Sequence, residues 1–227
     1  MNLLGGISEC LNPKSIFRHF ISPPTAKNLK ITGKHVLITG GNKGIGLGAV
    51  LEMAKHSPES ITICARSKES LKDACKKVNE INLKIKVDYF ILDLADWDSI
   101  DKTVLEILES HNKFDVVIGN AGVCLDGKLA NGVEKNMGIN HFGHFKFVVS
   151  LLNGLDEPVG RIVMTASLAA RFLGDHGIVD FDDLGIEKED HVFGGSIRVF
   201  YLYGQSKLAN ILFVKMLAEK MPGTWLL

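Results

Sequence analysis

Cysteine, proline and aromatic residues are scarce in this chain, and neither sign of charge predominates. Four cysteines occur in 227 residues, at positions 10, 64, 75 and 124, with no Cys-x-x-Cys pair. This scatter excludes a disulfide framework and argues against a structural zinc site. Reduced thiols in an intracellular compartment are the expectation. Lys and Arg number 26, as do Asp and Glu, for a formal net charge of zero. Nucleic-acid binders need a surplus of cations against phosphate, and membrane-surface binders a polybasic patch, so neither partner is expected. No apolar run approaches the roughly 20 residues that cross a bilayer, so no transmembrane span is expected. The closest histidine pair, His141 and His144, lacks an accompanying carboxylate set. Both read as helix-packing or surface residues, with no metal site.

What remains is the composition of one ordinary domain, 46% hydrophobic and 23% charged. Residues 1–33 stand apart. Lys14, Arg18, Lys27, Lys30 and the flanking Lys34 face a single acid, Glu9, and Pro23-Pro24 interrupts the run. The apolar stretches are too broken for a secretory signal. The expectation is a poorly ordered arm over 1–33 ahead of a domain over 34–227, with a mitochondrial presequence as the alternative. The expected location is cytoplasmic, with mitochondrion or a peripheral endoplasmic-reticulum association behind it.

From Lys34 onward, short β-branched runs alternate with helical stretches. Strands are predicted at 35–39, 61–65, 87–94, 114–120 and 161–167. Helices are predicted from the glycine-rich turn to about 56, over 68–82 and 98–110, around 133–153, and from about 201 to 220. Continuous Val/Ile strands between helices imply an α/β fold, a doubly wound parallel sheet of the Rossmann type in three layers. Residues 171–190 form an acidic patch: Asp175, Asp180, Asp182, Asp183, Glu187, Glu189 and Asp190 oppose only Arg171 and Lys188. It reads as a solvated insertion or as a flap over a pocket.

Thr39-Gly40-Gly41-Asn42-Lys43-Gly44-Ile45-Gly46 joins the first strand to the first helix. Gly40 permits a tight turn, Gly44 lets the backbone approach a pyrophosphate, and Gly46 allows close helix packing. The helix N-terminus then directs unpaired N–H groups at the phosphates. No Gly-Lys-Ser/Thr ending follows, so a dinucleotide is preferred over a nucleoside triphosphate. The second strand ends at Cys64-Ala65-Arg66-Ser67, with no acid before Glu69. A carboxylate there would grip a ribose 2′-hydroxyl; Arg66 and Lys43 instead suit a 2′-phosphate, so NADP(H) is favoured over NAD(H).

Tyr203 and Lys207, four apart on a helix, project from one face about 6 Å apart along the axis. An ammonium beside a phenol favours the phenolate, which would suit Tyr203 to general acid–base work. Ser167 ends the fifth strand at the carboxyl edge of the sheet, where a hydroxyl would polarise a substrate carbonyl. Gly-x-Ser-x-Gly is absent around it, which argues against a hydrolase.

Thr39–Gly46, Asp93-Leu94, Asn120-Ala121-Gly122, Asn140, Ser167 and Tyr203-Gly-Gln-Ser-Lys207 occur in an ordered set. Over residues 34–221 this set resembles the short-chain dehydrogenases/reductases. The stretches 139–145, 179–184 and 203–213 look most like the retinol dehydrogenase and WW-domain oxidoreductase branch. The resemblance implies a catalytic group of Asn140, Ser167, Tyr203 and Lys207, with Asn140 holding a water that relays protons through Lys207. It implies a cofactor site of Gly40, Asn42, Lys43, Gly44, Ile45, Gly46, Arg66, Asp93, Leu94, Asn120, Ala121 and Gly122, shared with Tyr203 and Lys207. The implied reaction interconverts an alcohol and a carbonyl on an apolar substrate such as a retinoid, steroid or lipid aldehyde. Members of that family continue into a sixth strand, a Pro-Gly loop, a substrate-binding helix and a seventh strand. Residues 224–227 read as the opening of the sixth strand, so the last family strands are expected to be lacking. The alternative expectation is therefore a catalytically weak cofactor-binding protein acting as a dimerisation or regulatory partner. The apolar segments 139–152 and 208–217 suit a homodimer.

Overall fold

The β-branched runs form a single parallel sheet because each can bury both of its faces. The computed structural model describes residues 30–111, 113–155, 159–171, 195–221 and 225–226. Strands β1 (His35–Thr39), β2 (Ser60–Ala65), β3 (Lys86–Ile91), β4 (Val116–Gly119), β5 (Arg161–Met164) and β6 (Trp225–Leu226) lie in the order β3-β2-β1-β4-β5-β6. Every pairing is parallel, with Ile38 opposite Ile63 on one side and Ile118 on the other. Alternate side chains enter opposite cores. Val36, Ile38, Ile61 and Ile63 pack under helices α1 (Gly44–Ala54) and α2 (Lys68–Ile81). Leu37 and Cys64 pack under α3 (Trp97–Ser110), α4 (His144–Gly154) and α5 (Gly195–Lys220). The doubly wound, three-layer expectation is met.

Local chemistry sets the helix ends. Ser67 Oγ accepts from Ser70 N at 3.3 Å and starts α2, whose Leu71, Ala74 and Val78 form its buried stripe. Asp96 Oδ1 accepts from Asp98 N and Ser99 N and starts α3 one residue before the predicted boundary. Strands β3, β4 and β5 are shorter than predicted. Past the sheet's carboxyl edge the backbone turns to other partners: Asp93 N, for instance, donates to Ser99 Oγ at 3.1 Å. Helix α5 begins six residues earlier than predicted, and the helix expected around 133–153 opens as a π-helical turn, Met137–Gly143, that runs into α4. Residues 225–226 pair with β5, as the sixth-strand reading of 224–227 requires.

Of the arm expected over 1–33, residues 1–29 lie outside the described residues. Ile31 is buried in the α1/α2 core, and Thr32 Oγ1 donates to His56 O at 3.1 Å. The acidic segment beyond Arg171 also lies outside the described residues. Among the described residues no helix is long and apolar enough to cross a membrane. The chain direction across the sheet reverses between β1 and β4, which opens a crevice at their carboxyl ends.

Candidate active site

The loops that leave β1 and β4 meet in that crevice at distances that only glycine allows. Gly40 has φ +68°, and a Cβ there would lie 2.9 Å from Ala121 Cα. A Cβ on Gly46 would lie 2.3 Å from Gly40 O and 2.4 Å from Asn120 Nδ2. At Gly44, φ is +56° and nothing lies within 4 Å of the Cβ position, so this part of the turn is open to a ligand. No side chain caps the α1 N-terminus, and its first turn holds no acid. Ile45 is exposed beside it. Open turn, uncapped N–H groups and absent carboxylate together fit a pyrophosphate.

Asn42 Nδ2 donates to Ser70 Oγ at 2.7 Å and so ties the turn to the first turn of α2, four residues after Arg66. Lys43 and Arg66 are both exposed. Glu69, the first acid after β2, is occupied within the helix start: Ser67 Oγ donates to it at 3.1 Å. Its carboxyl is held below its ordinary value by its own backbone N–H and by Ser67.

Thr39 and Asn120 brace the two loops against each other. Thr39 Oγ1 accepts from Asn120 N and Ala121 N at 3.0 Å each, and Asn120 Nδ2 donates to Thr39 O at 3.0 Å. Asp93 Oδ1 accepts from Ala95 N at 3.0 Å, which gives that residue a turn-forming part at the end of β3. Leu94 is buried, and Gly143 approaches it so closely that a Cβ would lie 2.3 Å from Leu94 O.

On the other side of the crevice, Lys207 is buried and its Nζ donates to Thr165 O at 3.0 Å. Burial pushes its pKa down to about 8. The ammonium lies 5.6 Å from the Tyr203 ring centroid, as their spacing on one helical face requires. A Cβ on Gly122 would lie 3.2 Å from Lys207 Nζ and 3.3 Å from Asn140 Oδ1. Gly122 therefore lets the ammonium and the amide share one small space. The Asn140 side chain makes three bonds to protein: Oδ1 accepts from Val123 N at 2.8 Å, and Nδ2 donates to Val123 O and Ser206 Oγ at 2.9 and 3.0 Å. Ser167 Oγ accepts from Ala169 N at 3.2 Å at the start of a short helical turn. Gly204, next to Tyr203, presses on that turn; a Cβ would lie 2.6 Å from Ala169 O. The turn after β5 and the Tyr203 segment of α5 are thus brought together.

Three contributors escaped the sequence reading. Asn136, four residues before Asn140, clamps Leu125 as Asn140 clamps Val123: its Oδ1 accepts from Leu125 N at 2.9 Å and its Nδ2 donates to Leu125 O at 2.8 Å. Two asparagines one helical turn apart therefore replace a neighbouring strand for residues 123–125. The spacing was the available signal. Glu134 is buried and accepts from Asn136 N and Met137 N at 2.8 and 2.7 Å, which caps the π-helical turn. Burial pushes its carboxyl up, against the pull of those bonds and of Arg198. His144, read as a packing or surface residue, is fully buried and bonded at both ring nitrogens. Among the described residues no cluster of metal-ligating side chains occurs.

A family model described as short chain dehydrogenase matches residues 34–179. Retinol dehydrogenase 13 of Homo sapiens is 35% identical over 197 residues, which cover 86% of this chain and 56% of that protein. Retinol dehydrogenase 12 of Mus musculus is 32% identical, over 94% of this chain and 65% of that protein. The chain thus spans a little over half to two thirds of the length of these relatives. Among solved structures, an NAD+-bound xylitol dehydrogenase superposes with a TM-score of 0.65 at 23% identity, over 87% of this chain and 68% of that one. The Pseudomonas aeruginosa RhlG/NADP complex gives 0.64 at 22%, over 86% and 70%. These two likenesses establish the fold.

Proposed function

This chain belongs to the short-chain dehydrogenase family, and from that premise we propose that it interconverts an alcohol and a carbonyl on an apolar substrate, with NADP(H) as cofactor. The observation that carries the reading is Tyr203 with Lys207 Nζ 5.6 Å from its ring, where only the absence of a side chain on Gly122 lets Lys207 Nζ and Asn140 Oδ1 come so near the same backbone. Bound NADPH would supply the hydride to the carbonyl carbon. Tyr203 would give its phenolic proton to the carbonyl oxygen, so the C=O bond becomes C–H and O–H. Ser167 would steady the same oxygen. Lys207 would hold positive charge beside the phenolate left behind and reach the nicotinamide ribose. Asn140 Oδ1 accepts one bond, from Val123 N, and with its second lone pair it would hold a water that returns the proton.

Exposed Leu168 and Phe200 support an apolar substrate; they follow Ser167 and precede Tyr203, and the Phe200 and Tyr203 rings are 6.2 Å apart. Similarity to retinol dehydrogenases, whose named substrate is an apolar alcohol, points the same way. Exposed Lys43 and Arg66, with Glu69 turned to Ser67, support NADP(H). The test is Y203F assayed for NADPH-dependent reduction of a carbonyl panel. Loss of turnover with NADPH binding retained is expected, and unchanged turnover would overturn the assignment.

A second reading is favoured by one surface. Phe145 on α4 and Ile211, Leu212 and Met216 on α5 are exposed on adjacent helices, with the Phe145 and Phe213 rings 5.1 Å apart. A cofactor-binding protein that dimerises through this face and turns over poorly would show NADPH binding and a dimer in sedimentation, without reduction.

A further inference from the structure

His144 has no part in the chemistry above, yet it joins the two halves of the site. In a regular α-helix its backbone N–H would bond the Asn140 carbonyl. The π-helical turn changes this: the His144 N–H bonds His141 O instead. The released Asn140 carbonyl accepts from His144 Nδ1 and from Asn210 Nδ2, at 3.0 Å each.

Donor logic then settles the ring. A carbonyl oxygen only accepts, so Nδ1 carries the hydrogen. On the opposite side, Nε2 lies 2.8 Å from Thr39 Oγ1. That oxygen already accepts two backbone N–H groups, from Asn120 and Ala121, so its own hydrogen goes to Nε2. Each end of the imidazole independently demands the same neutral tautomer. Full burial maintains it: desolvation pushes the imidazole pKa down to about 4, and Lys207 and His141, the charged and titratable groups that face it, push in the same direction.

We propose that His144, as the Nδ1–H tautomer, is a positioning residue that ties the cofactor side of the site, Thr39 with the Asn120–Ala121 backbone, to the proton-transfer side, Asn140 with Lys207. Its kinetic consequence rests on the oxidoreductase reading; the strut itself does not. A glutamine at this position places an amide oxygen where Nε2 stands and keeps the Thr39 bond. An asparagine places an N–H where Nδ1 stands and keeps the Asn140 bond.

Two measurements on the full chain test it. Selective 15N-histidine labelling with long-range 1H–15N correlation should show one imidazole in the Nδ1–H form, absent from H144Q and not titrating between pH 8 and 5.5. An Nε2–H form, or titration in that range, overturns the proposal. In fluorescence titrations with NADPH, H144Q should bind within about threefold of wild type and H144N about tenfold more weakly. For kcat in decanal reduction at saturating NADPH the order should reverse, with the larger loss in H144Q. Variants that move both readouts together, or neither, overturn the proposal. If the wild type reduces no carbonyl, the functional reading fails, while the NMR and NADPH results still decide the strut.

Discussion

Lys207 is the residue at which burial and chemistry conflict most directly. Its folded pKa of about 8 lies below the ordinary 10.5, so the unfolded chain binds the proton more tightly. The penalty is complete below pH 8 and is relieved as pH rises toward 10.5. On the proposed function the dependence runs the other way, because the ammonium would be the working form. NADPH affinity, followed by fluorescence, should fall as pH rises through about 8, and K207M should bind weakly without that limb. His144 carries the complementary case. Its folded pKa near 4 lies below the ordinary 6.5, so its neutral form contributes stability that is complete above pH 6.5 and lost as pH falls toward 4. A loss of order 2 kcal/mol between pH 7 and 5 is expected in urea midpoints, and H144Q should reduce it. Neither conflict could be read from residue order. The Tyr203/Lys207 spacing placed both on one face, but the burial of Lys207 comes from Gly122, Thr165 and Asn140, remote in sequence.

At the scale of elements, the site depends on loops that secondary structure leaves without partners. Residues 123–125 follow β4 outside any strand, and the asparagines at 140 and 136 bond the backbone N–H and C=O of Val123 and Leu125. N136A removes both bonds to Leu125 and leaves the buried Glu134 carboxylate one donor short. It should cost about 2–3 kcal/mol in denaturant unfolding and accelerate exchange of the Leu125 amide before that of β4. The turn between β1 and α1 has no such freedom. G46A drives a methyl into Gly40 O and Asn120 Nδ2, so NADPH binding should be lost together with roughly 1–3 kcal/mol of stability. That glycine's necessity was legible in the motif. The clamp was legible only as an i,i+4 spacing of asparagines, because what they hold is irregular backbone beyond the end of β4.

For the whole molecule, the two cores lie beneath different parts of the candidate site. Helices α1 and α2 cover the half that presents the glycine-rich turn and Arg66, while the π-helical turn leading into α4 carries Asn140 and α5 carries Tyr203 and Lys207. A cofactor lying across the β1/β4 crevice would bridge both halves and stabilise them jointly. NADPH at about one hundred times its Kd should add about 2.7 kcal/mol and raise Tm by roughly 5–10 °C, and NADH at the same concentration should raise it less. R66D should narrow or reverse that difference.

The sequence by itself determined the parallel α/β architecture and the place of the glycine-rich turn. Both follow from local features: apolar runs that must bury two faces, and glycines that alone accept the required turn. Motif order also placed Asn140, Ser167, Tyr203 and Lys207 near the carboxyl edge. Only the tertiary structure decided how these groups are held. The π-helical turn frees the Asn140 carbonyl, His144 spans from it to Thr39, and Gly122 admits Lys207 against Asn140. Those contacts join residues far apart in the chain, and their geometry exists only once the sheet has fixed the strand ends that carry them.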